Sequence, residues 1–370
     1  MGHYARNLAS ALSAHAVVDV ALYARAHEPM PDWSDTNLLR LSLSASRLRY
    51  RLLEKFNPRF YRAVAGRFAD HGTEIVHVTG GLIGLRSLAA GLKEQGIACV
   101  CTVHDPVPHE ESATIWGQVY ERYSRRYELP AAFEAVDAVH VHSQRHAELM
   151  AALFGSAVRA KCYVVHHGAG LTPEIATGSS RPSELDRLWP GKPTLLFFGR
   201  VEPYKGVDLL LAGAERLAQS GLQFNLLIAG AGSTPDIALP RDRVNLLRID
   251  RFILDGEIRS LFEASDVVLL PYRDATQSGV VPLAYAFGRP VIATRVGALD
   301  EVVKDGETGF LVPTSDPDAI AHAVHRLFSD ERVAPRLGRW ARDFAEQYLS
   351  WSSAAAQHFG RYTQLRSIGG

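Results

Sequence analysis

The stretch TLLFFGRVEPYKG, Thr194–Gly206, is the part of the chain whose reading decides the fold. Thr194–Phe198 is an apolar run of strand length that ends in Gly199, and Gly206 stands directly before a helical run beginning at Val207. A strand, a glycine-bounded turn and a helix in that order are the opening of a βα unit. Arg200 and Lys205 then lie at the C-terminal mouth of the strand, beside helix N–H groups that favour an anion. Glycine at 199 and 206 permits tight turns and close backbone approach. A phosphate or diphosphate suits this loop, with Arg200 as a planar fork of donors and Lys205 as a mobile point charge. The loop is neither a GxxxxGK[ST] phosphate loop nor a dinucleotide GxGxxG. Read locally, the two cations are equally compatible with an ordinary charged surface at a strand end.

The same alternation extends through the chain. Strands are expected at Val17–Leu22, Ile75–Val78, Ala98–Val103, Ala138–Val141 and Cys162–Val165, then at Thr194–Phe198, Phe224–Ala229, Val244–Leu247, Val267–Leu270 and Val291–Thr294. Short, largely apolar strands separated by helical stretches imply parallel sheets covered on both faces. The segment GAGLTPEIATGSSRPSELDRLWPGKP, Gly168–Pro193, gathers Gly, Pro, Ser and Thr before the rhythm restarts. It divides the chain into a first domain over residues 1–168, a linker over 169–193 and a second domain over 194–345. Residues 346–370 form a last helix expected to cross back to the first domain. Two such open sheets are expected to face each other across a cleft lined by loops at the strand ends. The start, MGHYARNLASAL, reads as a helix, whereas an α/β domain usually opens on a strand, so the first strand of the N-terminal domain is expected to be missing.

Composition narrows the class. With 370 residues, 47% of them hydrophobic, the chain can bury two cores. Forty Lys and Arg balance forty Asp and Glu, so no overall charge calls for nucleic acid. Cys99, Cys101 and Cys162 are too few for a disulfide framework, and Cys99 and Cys101 share one face of a strand. With no signal peptide and no apolar run of membrane-spanning length, the expectation is a cytoplasmic protein, either free or resting on the inner face of the membrane. Residues 40–67 carry Arg40, Arg47, Arg49, Arg51, Lys55, Arg59, Arg62 and Arg67 among leucines and aromatics. This surface suits anionic lipid or an acidic acceptor, or else is the solvated face of a helix pair.

Three further loops carry candidate chemistry. In CVCTVHDPVPH, His104 and Asp105 follow a strand, and Pro106 and Pro108 stiffen the loop. His104 is placed to donate to a hydroxyl or to act near a scissile bond, or simply to pair with Asp105 and fasten the loop. In VVHHGAG, His166 and His167 diverge as neighbours and have no acidic partner at ligand spacing, so metal is not expected. In PYRDATQSGVVPLAYAFGRPVIAT, Ser278 and the N–H groups beside Gly279 suit a phosphate or sugar hydroxyl, with Thr276 and Gln277 adding uncharged donors and acceptors. Glu301, in VGALDEVVKDGETGFLV, sits in the first turn of another helix, an ordinary preference for an acid.

Taken in order, FFGRVEPYKGVDLLL, GVVPLAYAFGRPVIAT and VGALDEVVKDGETGFLV, supported by VCTVHD, EAVDAVHVHS and VVHHG, resemble the retaining glycosyltransferases of the GT4 family. The resemblance covers nearly the whole chain. It implies the GT-B fold, α/β with two Rossmann-like doubly wound domains: an N-terminal acceptor domain and a C-terminal domain for a nucleotide-diphosphate sugar donor. Gly2 matches the end of the family's glycine-rich loop. Arg200 and Lys205 match the pair on the donor diphosphate, with Gly199 beside them, and His104 matches a histidine at the donor sugar or reaction centre. Asp105 would lie with Gly2 and His104 on the acceptor side. Glu301 lies where the family keeps an acid after two glycines, although here Gly297 is followed by Ala298. The family's paired glutamates, eight positions apart, fall on Ala275 and Leu283, so Thr276, Gln277, Ser278 and Gly279 are the substitutes implied at the donor. The implied activity is retaining transfer of a hexosyl group to a saccharide or lipid-linked acceptor in bacterial surface glycan synthesis, with no metal or other cofactor required. The competing reading is a catalytically weak nucleotide-sugar binder or assembly subunit.

Overall fold

The computed structural model describes residues 2–25, 37–43, 57–80, 82, 84–106, 124–168, 173–275 and 278–369. The chain divides into two compact units, Met1–His166 with Trp351–Gly370, and His167–Ser350.

The first unit opens on α1 (Gly2–Leu12), β1 (Asp19–Arg25) and β2 (Asn37–Leu43). Then come α2 (Pro58–Asp70), β3 (Ile75–Val78), α3 (Leu85–Glu94) and β4 (Ala98–Val103). The sequence continues with α4 (Leu129–Ala135), β5 (Ala138–Val141), α5 (Gln144–Phe154), α6 (Ser156–Lys161) and β6 (Cys162–Val164). Strands β3-β4-β5-β6 form one parallel sheet in that order, and β1 pairs with β2 in a separate parallel pair. Helix starts are written in the chain. Asn57 caps α2 by accepting from Arg59 N at 3.0 Å, with Pro58 in the first turn, and Ser143 caps α5 by accepting from His146 N at 3.0 Å.

The two faces of the four-stranded sheet differ. Strand alternation sends Cys99, Cys101, Val103, Val139 and Val141 into one core with Leu85, Leu88, Leu92, Phe133 and Met150. The opposite face presents His77, Thr102 and His140, and is covered by α1 and the last helix, α14 (Trp351–Gly369). Tyr4, Leu8 and Leu12 of α1 meet Ala355 of α14 in a small apolar cluster, with Trp351, Phe359 and Tyr362 against it.

The second unit contains α7 (Pro173–Ala176), β7 (Thr194–Phe198), α8 (Val207–Gln219), β8 (Phe224–Ala229), β9 (Val244–Ile249) and α9 (Asp255–Glu263). It continues through β10 (Val267–Leu270), α10 (Val280–Ala286), β11 (Val291–Thr294), α11 (Leu299–Val302) and β12 (Gly309–Val312). Helices α12 (Pro317–Phe328) and α13 (Val333–Phe344) complete it. Its sheet is fully parallel, in the order β12-β11-β10-β7-β8-β9. The chain builds outward from β7 through β8 and β9, then returns to lay β10 on the other side. That reversal between β7 and β10 makes their C-terminal ends the place where an open α/β sheet receives a ligand.

Several boundaries differ from the sequence reading. β1 begins at Asp19 and runs to Arg25, β6 stops at Val164, and β9 continues to Ile249. Asn37–Leu43, read as part of a basic helical patch, is a strand, and Gly309–Val312 is a strand not expected at all. The segment read as a linker packs on the second unit: Ile175 and Leu185 enter its core, and Asn225 bonds both Trp189 N and Trp189 O.

Candidate functional site

At the end of β7 the chain turns through Gly199, whose φ of 115° is left-handed, and places Lys205 Nζ over that glycine. A Cβ at position 199 would stand 3.1 Å from the ammonium, so a side chain there would crowd the charge. Gly206 is left-handed as well, at φ 67°, and a Cβ there would collide with the Pro271 carbonyl oxygen. This close approach locks the β7 loop against the β10 loop. Arg273 fastens the same seam: its N donates to Tyr204 O at 2.7 Å, and Nη1 donates to Pro203 O at 3.0 Å and to Asp208 Oδ1 at 2.7 Å. The Arg273 hydrogen bonds hold the Asp208 carboxyl below its ordinary range.

Lys205 thus stands on a braced loop, with its ammonium near two aromatic rings. Its Nζ lies 5.9 Å from the centre of the Tyr204 ring and 5.8 Å from that of Tyr272, within cation–π range. Burial lowers its pKa, the Glu202 charge raises it, and Arg200 lowers it further. Arg200 stays largely exposed and pairs with Glu202 at 3.1 Å. Directly beyond is the start of the 13-residue helix α8. Two cations at a helix amino terminus on the switch point of a parallel sheet are an arrangement that suits an anion of high charge.

The β10 loop completes this mouth. Ser278 Oγ accepts from Val280 N at 3.3 Å, and Gly279 immediately precedes α10. Thr276 and Gln277 lie outside the described residues. Ala275 is buried in the core and Leu283 packs against it, so apolar groups occupy the positions where the family pattern sets glutamates. Glu301 lies within α11, and its backbone oxygen accepts from Lys304 Nζ at 2.7 Å.

In the first unit, His104 follows β4 with both ring nitrogens engaged. Nε2 bonds Thr79 O at 3.0 Å, and Nδ1 meets His142 Nε2 at 3.0 Å. The Tyr4 ring stands edge-on, 4.9 Å from the imidazole centre. Burial pushes the His104 pKa down, against smaller upward effects from the Thr79 carbonyl and Asp105. Asp105 is exposed, and Gly2 is the first residue of α1. His166 Nδ1 donates to His142 O at 3.0 Å, which ties the VVHHG loop to the same histidine. Of the basic stretch, residues 44–56 lie outside the described residues, while Arg59, Arg62 and Arg67 are exposed on α2.

His142, Arg273 and Asp208 were absent from the sequence reading. A 38-residue offset between β4 and β5 brings Thr102 to His140 and His104 to His142. The signal was the alternation HVH in Ala138–Ser143, which sets two histidines on one face of a strand.

Family comparison covers both units. Residues 1–171 match the family described as Glycosyltransferase Family 4, and residues 192–330 match Glycosyl transferases group 1. Each half of the chain thus matches a glycosyltransferase family. Among curated relatives, a D-inositol 3-phosphate glycosyltransferase of Corynebacterium urealyticum is 31% identical over 225 residues, covering 57% of this chain and 53% of that protein. The chain thus spans about half the length of the curated relatives it matches. Solved structures of the same fold cover nearly all of it. Sucrose-phosphate synthase of Thermosynechococcus elongatus aligns with a TM-score of 0.68 at 23% identity, over 99% of this chain and 93% of that one. HepE of Anabaena, in complex with UDP, aligns with a TM-score of 0.69 at 17% identity, over 98% and 96%. These likenesses establish the GT-B fold of paired Rossmann-like units. Among the described residues no cluster of His, Cys, Asp and Glu is arranged to hold a metal ion, and no helix is long and apolar enough to cross a membrane.

Proposed function

We propose that this glycosyltransferase moves a hexosyl group, with retention, from a nucleotide-diphosphate sugar to a saccharide or lipid-linked acceptor in surface glycan synthesis. The observation that carries the reading is Lys205, set on the braced Gly199–Gly206 loop with its ammonium over Gly199 and near two tyrosines, beside Arg200 at the start of α8. Solved structures of the same fold with UDP and with UDP-glucose support a nucleotide-sugar donor.

The chemistry asked of these residues is electrostatic. As the bond from the anomeric carbon to the phosphate oxygen breaks, its electron pair leaves with the diphosphate, and negative charge grows where Arg200 and Lys205 stand. Fixed cations need no reorganisation at that moment, which is the source of their catalytic effect. The acceptor oxygen bonds the anomeric carbon on the face the diphosphate leaves, and the acceptor's proton passes to the departing phosphate oxygen. His104 orients the donor sugar, and Ser278 and Gly279 contribute at the donor mouth. Glu301 is assigned to the donor, with Gly2 and Asp105 on the acceptor side. In this reading the side-chain cations serve the leaving group, so turnover persists in EDTA.

Mass-spectrometric product analysis against UDP-, GDP- and ADP-sugars, with mixed saccharide and lipid-linked acceptors, tests the proposal. A glycosidic product that forms in EDTA, and falls about 100-fold or more in Lys205→Ala and Arg200→Ala, is the expected result. Donor binding without any product from the intact protein would instead favour the binder reading, which the apolar Ala275 and Leu283 positions also fit. Membrane attachment through residues 40–67 is part of the proposal, and absence of binding to anionic liposomes at low and physiological salt would remove it.

A further inference from the structure

The polar face of the first unit's sheet fixes where the protons of its histidines lie. A carbonyl oxygen only accepts, so the contact of His104 Nε2 with Thr79 O requires the proton on Nε2. Burial keeps the ring neutral, which leaves Nδ1 bare and turns the His142 Nε2 contact into a bond donated by His142. Direction therefore runs from His142 to His104 to the Thr79 carbonyl. His142 is itself buried and carries a second tie, since its backbone oxygen accepts from His166 Nδ1. A neighbouring chain obeys the same logic. His140 Nε2 donates to Val165 O at 2.9 Å, so Thr102 donates to His140 Nδ1, His77 Nε2 to Thr102, and Tyr362 to His77 Nδ1. Each donor in these two chains is set by a backbone acceptor at the end.

We propose that His142, by donating to Nδ1, is a positioning residue that acts together with the Thr79 carbonyl to hold His104 as the Nε2–H tautomer, so that His104 acts toward substrate as a hydrogen-bond donor and never as a base. The geometry is decisive because His142 occupies the one nitrogen that would take a proton. The only hydrogen His104 offers is on Nε2, currently shared with Thr79 O, and it is the hydrogen available to a sugar hydroxyl approaching that edge. A general base at this position would conflict with the retaining chemistry, in which the departing phosphate takes the acceptor's proton. The catalytic consequence rests on the proposed glycosyl transfer, but the tautomer itself does not.

The test uses the full chain with 15N-labelled histidine, with the His104 signals assigned by their loss in His104→Gln. The expected spectrum at neutral pH shows a protonated, pyrrole-like Nε2 and a bare, pyridine-like Nδ1. His142→Gln keeps an amide N–H where Nε2–H stood and is expected to retain that spectrum, while His142→Leu mixes the two tautomers. In transfer assays His142→Leu is expected to lower kcat about tenfold with donor KM changed less than about twofold, and His142→Gln to recover to within about threefold of the wild type. An Nδ1–H tautomer in the wild type, or equal spectra and rates in the Gln and Leu variants, would overturn the proposal. The wild-type spectrum decides the tautomer even where His142→Leu fails to fold. A correct tautomer in a protein that makes no product would uphold the hydrogen-bond assignment and defeat the transfer reading instead.

Discussion

The two parallel sheets of this chain solve one burial problem in different ways. In the second unit β7, β8, β10 and β11 are almost wholly apolar, and the helices close over Leu, Ile, Val and Phe. Its polar work is confined to the strand ends, where Arg200, Lys205 and Arg273 meet solvent. The first unit keeps one apolar face but fills the other with His77, Thr102 and His140, sealed by Tyr4, Tyr163, His358 and Tyr362. Apolar contact is indifferent to pH and tolerant of small shifts. A hydrogen-bonded histidine face is neither, because every partner must stay neutral and in place. The contrast teaches where sensitivity lies: the second unit is robust, and the unit carrying His104 is conditional.

Acid gives the largest expected effect. Burial lowers the pKa of His77 to about 3 and those of His140 and His358 well below their ordinary value. Below pH 6.5 the unfolded chain takes up protons at these sites that the folded chain refuses. Their contribution to stability is therefore complete above that pH and is lost progressively as the pH falls below it, for His77 down to about 3. Each such proton steepens the loss by about 1.4 kcal/mol per pH unit. Hydrogen exchange at pH 7 and pH 4.5 should show β3–β5 losing protection while β7–β11 keep theirs. Loss in both units together would erase the comparison.

Single substitutions sharpen it. Leu226→Ala, in a fully buried apolar position of β8, should cost about 2–5 kcal/mol in urea unfolding, equally at pH 7 and pH 5.5. His77→Phe takes away the acceptor of the Tyr362 hydroxyl and the bond that Thr102 accepts, and should cost about 1–3 kcal/mol at pH 7. The same change should narrow the gap between pH 7 and pH 5.5, since it deletes one of the groups responsible. A pH-independent cost for His77→Phe would contradict the assigned role of burial. The smallest stability effect is expected from Arg273→Ala. Its pair with Asp208 is largely solvated and worth under about 1 kcal/mol. Because Arg273 braces the Lys205 loop, that variant should nevertheless raise donor KM about tenfold.

Much of this was legible from residue order. Thr194–Phe198, Phe224–Ala229 and Val267–Leu270 are continuous apolar runs, which parallel strands covered on both faces require, and each forms the strand expected of it. Asn37–Leu43 was obscured because Arg40 interrupts its leucines and the surrounding arginines suggest a helix face. Gly309–Val312 was hidden by its brevity and by the turn residues around it. The loop from Gly199 to Gly206 reads as suited to a phosphate by composition, but nothing in it revealed that Arg273, far along the chain, braces it. His104 was visible as a residue at a strand end. Its partner His142 was not, because only the register of β4 against β5 brings them together, and a histidine in a strand reads first as filler.

The most direct measurement is product formation from a nucleotide-diphosphate sugar by the intact protein, set beside Lys205→Ala with its folding confirmed by circular dichroism. A glycoside with the donor's anomeric configuration is expected from the intact protein, and about 100-fold less or none from the variant. Equal product from both proteins would contradict the claim that Lys205 carries the leaving diphosphate.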